Sequence, residues 1–208
     1  MAIFESFLLG NLNQKLANLV MFRSRGKGVV RGKPLNVKNP RTPSQLTQRA
    51  KMKLLIDLSR HFSPIIRSSF VEHPHAETVY NTFVRVNMPN VVVDSAFQAT
   101  LEFSDILCAN GILEKPDVTA TSDEVGLVFK QEAQTADGTM AMDDVVYVGL
   151  YETVQKSARL VQIGERGSAH SIEYLMPKHW IKTNIQIYAF AVSKSKRHSS
   201  STLYVTLS

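Results

Sequence analysis

The chain has 208 residues, with 44% hydrophobic and 20% charged content, a balance that excludes wholesale disorder and allows one large domain or two small ones. Its one cysteine, Cys108, excludes an internal disulfide, and the apolar run Phe7-Leu8-Leu9 is too short for a signal-peptide core or a membrane span. The net charge of +6 is unevenly spread: residues 1–100 hold 14 Lys and Arg against 5 Asp and Glu, and residues 101–208 hold 10 against 13, which predicts regions with different work.

Residues 1–41 read as a basic extended arm. In its first part, NLNQKLANL suits either a short helix or a turn and strand. LVMFRS (19–24) and KGVVRG (27–32) read as two short strands joined through Arg25-Gly26. From Phe22 to Lys53 the chain holds ten Lys and Arg and no acidic residue. Pro34 and Pro40 push the residues before them toward extended backbone, so residues 33–42 read as a flat linker.

Residues 42–98 read as a small helical region. Thr42 is a good N-cap, Pro43 suits the first helical position, and Gln45 completes a capping box. Leu46, Ala50, Leu54, Leu58 and Phe62 then recur every four residues, with Leu55 beside them, as one apolar face. Pro64 marks a break. A second helix is expected from His75 to about Asn87, with Val79, Phe83 and Val86 inward and Pro89 as its stop.

Residues 99–208 read as strands: LEFSDILC, VTATS, VGLVFKQE, DVVYVGLYET, ARLVQIGE, AHSIEYL, NIQIYAFAVS and STLYVTL. They alternate in polarity and are separated by turn-rich pieces, which predicts an antiparallel β-sandwich and an α+β protein overall. In NIQIYAFAVS, Ile185, Ile187, Ala189 and Ala191 lie on one side and Tyr188, Phe190 and Val192 on the other. A strand apolar on both sides should be central. The LMP of residues 175–177, the Tyr188, Phe190 and Val192 set, and the Ser-rich turn into STLYV resemble a fibronectin type III or immunoglobulin-like module.

Chemistry-bearing residues are sparse. Cys108, placed at the end of an apolar strand, reads as a buried structural thiol, since no neighbouring cation would lower its pKa. His73 and His75 could offer two metal ligands, but no third or fourth follows in a recognisable spacing, and a solvated turn is the expectation. Asp143 and Asp144 open a strand, where adjacent side chains point to opposite faces, so they read as solvated rather than as an acid/base pair. RGKGVVRGK lacks the order of a phosphate loop. No catalytic residue, cofactor, metal or small-molecule substrate is expected.

The basic stretch admits three readings: a phosphate-binding segment, an arm laid on a neighbouring protein, or a solvated face. Phe22 is its one aromatic, and interleaved aromatics would favour single-stranded nucleic acid. A protein-contacting arm is therefore the preferred reading, with Arg23, Arg25, Lys27, Arg31, Arg41, Gln45, Gln48 and Arg49 as its contact residues, subunit-facing or, failing that, phosphate-facing.

NPRTPSQLTQRAKM (39–52) resembles the Asn-Pro-Arg-Thr-x-x-Gln-x-x-Gln-Arg signature of a Bacteroidota family of unknown function found in bacterial genomes and their tailed phages. Gly10, Lys15, Val20, Gly28, Val30 and Arg31 are similar to its N-terminal ribbon, and YNTFVRVN (80–87) to its second helical motif. The resemblance implies no enzyme activity or cofactor. It implies a virion component, such as a tail or neck ring subunit of a crAss-like phage, partnered by its own copies and neighbouring virion proteins; the short apolar run near the start predicts that it is made in the host cytoplasm, with no membrane. A nucleic-acid-binding accessory protein and a β-sandwich adhesion module are the alternatives.

Overall fold

The computed structural model describes residues 2–4, 15–16, 18–24, 26–34, 39–73, 77–123 and 126–207. Contacts divide the chain into two units, residues 1–42 and 43–208. The first is a ribbon of four short strands: β1 (Ala2–Phe4), β2 (Lys15–Leu16), β3 (Leu19–Ser24) and β4 (Lys27–Gly32). All neighbours are antiparallel, in the order β1-β4-β3-β2. LVMFRS and KGVVRG pair as the hairpin their sequence suggests. Gly26, at φ +80°, closes its turn in a backbone region open to glycine and costly for other residues. Within NLNQKLANL, Lys15 and Leu16 take the strand alternative, while residues 11–14 and 17 lie outside the described residues. Of the linker, residues 35–38 lie outside them as well, and the rest carries no helix or strand.

The second unit opens with three helices, α1 (Pro43–His61), α2 (Ser63–Ser69) and α3 (Val79–Asn87). Pro64 sits in the first turn of α2, where its missing N–H costs nothing, so the break it marks is a helix start. The expected start of the next helix at His75 is corrected. Its N-cap is Thr78, whose side chain accepts from the Asn81 N–H, and the helix begins at Val79. Pro89 falls in a 3-10 turn, Met88–Asn90, that carries the chain on beyond Asn87. Two short strands follow, β5 (Val92–Val93) and β6 (Ala99–Thr100), paired with each other.

The remaining strands are β7 (Val118–Ser122), β8 (Gly126–Gln131), β9 (Val145–Glu152), β10 (Ser157–Glu165), β11 (His170–Leu175), β12 (Ile185–Val192) and β13 (Leu203–Val205). They form a four-stranded sheet, β10-β9-β12-β13, and a three-stranded sheet, β11-β8-β7, antiparallel throughout. The protein is therefore α+β with antiparallel sheets. β12 is central, between β9 and β13, as its two apolar faces require. Ile185, Ile187, Ala189 and Ala191 share one apolar cluster with Val146, Val148 and Leu150 of β9 and with Val118, Ala120, Leu127 and Phe129 of the smaller sheet. Tyr188, Phe190 and Val192 share the other with Leu55, Phe62, Ile65, Ile66 and Phe83 of the helical region. The four-stranded sheet is thus covered by helices on one side and by the second sheet on the other. Gly149 makes the helical contact close. A Cβ built there would lie 2.7 Å from Ile65 Cδ1, so a side chain at this position would force Ile65 of α2 to shift.

One expected strand is absent. LEFSDILC forms a 3-10 turn at Phe103–Asp105 and otherwise irregular chain, and its backbone is satisfied by its own turn and by side chains rather than by a strand partner. Asn87 Oδ1 accepts the Leu107 N–H at 2.8 Å, and Asn87 Nδ2 donates to Leu107 O at 3.0 Å. Tyr188 OH donates to Phe103 O, Asn90 Nδ2 to Asp105 O, and Ser69 Oγ to Cys108 O. Cys108 is fully buried in this segment, not at a strand end, and burial pushes its thiol pKa well up.

Candidate assembly surface

The ribbon concentrates the charge. Residues 1–42 carry eight Lys and Arg against one Glu, whereas residues 43–208 carry 16 against 17. The first unit therefore holds +7 and the second −1. Strand register places Arg23 on one face of the hairpin, opposite Gly28, and Lys27 and Arg31 on the other with Phe22 and Val29. The Arg31 guanidinium lies 5.6 Å from the centre of the Phe22 ring, a cation–π stack that holds it against the ribbon. Arg23 Nε donates to Gly26 O at 3.3 Å across the turn. Lys27 is exposed, and Arg25 lies outside the described residues.

Among the residues of this unit whose side chains are described, Val29 alone is buried, at 5% exposure, while Met21, Phe22 and Val30 are half-buried and Leu19 is 42% exposed. A few short strands with so small an apolar interior are marginal by themselves in water.

The other expected contact residues fall elsewhere. Arg41 is exposed and takes a left-handed backbone conformation, φ +48°, just ahead of α1. Gln45 and Arg49 are exposed on the first half of α1, and Gln48 Nε2 donates to Met88 Sδ at 3.8 Å. Arg23, Lys27, Arg31 and Arg41 thus belong to the first unit, and Gln45, Gln48 and Arg49 to the second. On α1 these three share a stripe with Met52 and Ile56, which are 36% and 39% exposed. The stripe expected to face the core, Leu46, Ala50, Leu54, Leu58 and Phe62 with Leu55 beside them, does so along its second half, where Leu55 and Phe62 are buried and Leu54 and Leu58 pack against the same cluster. Leu55 and Ser59 are the buried pair on α1, followed by Phe62, and the signal for the outer stripe was the two apolar residues off the core face.

Asp143 is exposed, but the expectation of solvation at Asp144 is corrected. Asp144 is 1% exposed and pairs with the fully buried Arg166, whose Nε lies 3.8 Å from Asp144 Oδ2. Arg166 Nη2 donates to Glu114 O at 2.7 Å, and its backbone N–H to Asp144 O at 2.8 Å. Burial lowers the Arg166 pKa, opposed by the nearby negative charges of Asp144 and Glu114. The pair is a buried structural contact between the start of β9 and the β10–β11 turn. Sequence gave no sign of it, because the partners are far apart along the chain.

His73 Nδ1 lies 3.1 Å from Phe70 O, and His75 lies outside the described residues. Among the described residues no group of three His, Cys, Asp or Glu is placed to hold a metal. No helix among them is long and apolar enough to cross a membrane.

Residues 11–206 match the model of a family of unknown function, DUF6266. No curated protein matches the chain.

Proposed function

The chain belongs to the DUF6266 family, and we propose that it is a structural assembly subunit whose basic ribbon is completed by a neighbouring subunit. One observation carries this reading: the unit with +7 of net charge is also the unit with a single buried apolar residue among those whose side chains are described. A neighbour with acidic and apolar surface supplies both the counter-charge and the missing cover. Charge on both faces of the hairpin suits a ribbon held between partners better than one laid on a single phosphate backbone.

The body of this subunit is a β-sandwich of the fibronectin type III or immunoglobulin-like kind, a reading supported by the apolar cluster shared by its two antiparallel sheets. Its place is in a tailed-phage virion, in a tail or neck ring, a reading supported by the resemblance of residues 39–52. The partners are its own copies and neighbouring virion proteins.

The test is native mass spectrometry of the full-length protein, alone and co-expressed with its genomic neighbours, beside a variant with Arg23, Arg25, Lys27 and Arg31 changed to Ser. The parent is expected in a larger particle and the variant outside it, with the body still folded. A different outcome supports a nucleic-acid-binding accessory protein instead. In that case the parent binds DNA with log affinity falling by about 0.9 per log unit of salt for each phosphate neutralised, and the variant loses DNA but keeps its assembly.

A further inference from the structure

Building on the assembly reading, we propose that α1 of one copy receives the acidic loop pair of the next copy, head to tail, through a contact additional to the ribbon. α1 presents apolar surface twice. Its buried stripe faces the sheet, and Met52 and Ile56 face outward. Ile56 lines two grooves, one of about 400 Å³ shared with Val84 and Met88, the other of about 640 Å³ shared with Phe97 and Ala99. The rim of the larger groove is basic. Lys53 and Arg60 line it, while its one acidic lining residue, Asp57, has Lys156 at 3.6 Å and His61 at 3.7 Å; at the smaller groove Arg85 is paired with Glu77 at 3.2 Å. An apolar seat with such a rim selects an acidic partner carrying apolar tips.

The same chain carries that partner. The loops at 110–117 and 132–144 are tied together by Thr139 Oγ1 donating to Ile112 O at 3.1 Å and by Glu132 N–H donating to Asp117 O at 3.3 Å. Their exposed charges are Glu114, Asp117, Glu132, Asp137 and Asp143 against Lys115 alone. Their apolar tips are Ile112, 60% exposed, and Met142, 54% exposed. The loops are held in shape from beneath. Arg166 donates to Glu114 O and pairs with Asp144, and the Gly167 N–H donates to Met142 O at 2.8 Å. Loops already ordered lose little freedom on docking. Because groove and loops are different surfaces, the contact is heterologous and builds a ring when its rotation closes.

The experiment measures self-association of the full-length protein by analytical ultracentrifugation up to about 1 mM, a range that detects weak contacts. Lys53→Glu with Arg60→Glu reverses the groove, and Glu114→Lys with Asp137→Lys reverses the loops. Each pair is expected to weaken association tenfold or more without moving the melting temperature, since all four side chains are exposed. Mixing the two variants restores association with alternating copies, and so does placing all four changes in one chain. Ile112→Ser with Met142→Ser, which changes no charge, weakens it as well. Variants that associate like the parent, or a mixture that does not recover, overturn this contact and leave the assembly reading standing. A parent monomeric across the whole range overturns this contact and self-assembly together.

Discussion

The two units of this chain divide charge and burial between them. The ribbon has most of the net charge and one buried apolar residue among those whose side chains are described, whereas the body is nearly neutral and buries its central sheet on both faces. Burial of apolar area is the main source of folding free energy. The contrast motivates the proposal that the body stands by itself and the ribbon is completed by a partner. Substitutions in the body should register in a melting curve, and those in the ribbon in a partner's presence.

The largest effect should come from the helix-to-sheet core. Phe62 is fully buried, with its ring centre 4.4 Å from that of Tyr151 and 6.1 Å from that of Phe83. Phe62→Ala should cost about 3–5 kcal/mol in urea unfolding, and a value under 1 would mean that the helices contribute little to the body. Asn87→Leu comes next, at about 2–3 kcal/mol. It keeps the volume but strips both partners from the Leu107 backbone, and calorimetry of the variant should show the loss. Thr78→Ala removes one helix cap and should cost about 1 kcal/mol, with Thr78→Ser recovering most of it. At the small end, Arg23→Ser, Lys27→Ser and Arg31→Ser together should leave the melt of the body unchanged. A shift as large as that of Thr78→Ala would mean that the two units are energetically one.

Legibility followed the range of the interactions. The strands from β7 to β13 could be read because their side chains alternate and turns separate them, and β12 declared its central place through two apolar sides. LEFSDILC misled because its composition is strand-like, while its backbone partners include side chains from distant elements such as Asn87 and Tyr188. β5 and β6 are two residues each, below the length at which a pattern exists. The basic stretch stood out in composition, but its division between two units follows from contacts, and Asp144 with Arg166 has no local signature, whereas the outward Met52 and Ile56 had one in their place off the core face.

The two-sided burial of β12 also governs how the body breathes. A helix layer lifting away would bare Tyr188 and Phe190, and a second sheet peeling off would bare Ile187 and Ala189. Neither event spares the middle strand, so its amides have no cheap local opening through which to meet solvent. Deuterium should enter β12 last, on the timescale of whole-body unfolding, and entry at α2 should lag with it, whereas the ribbon should fill within the dead time of a manual exchange experiment.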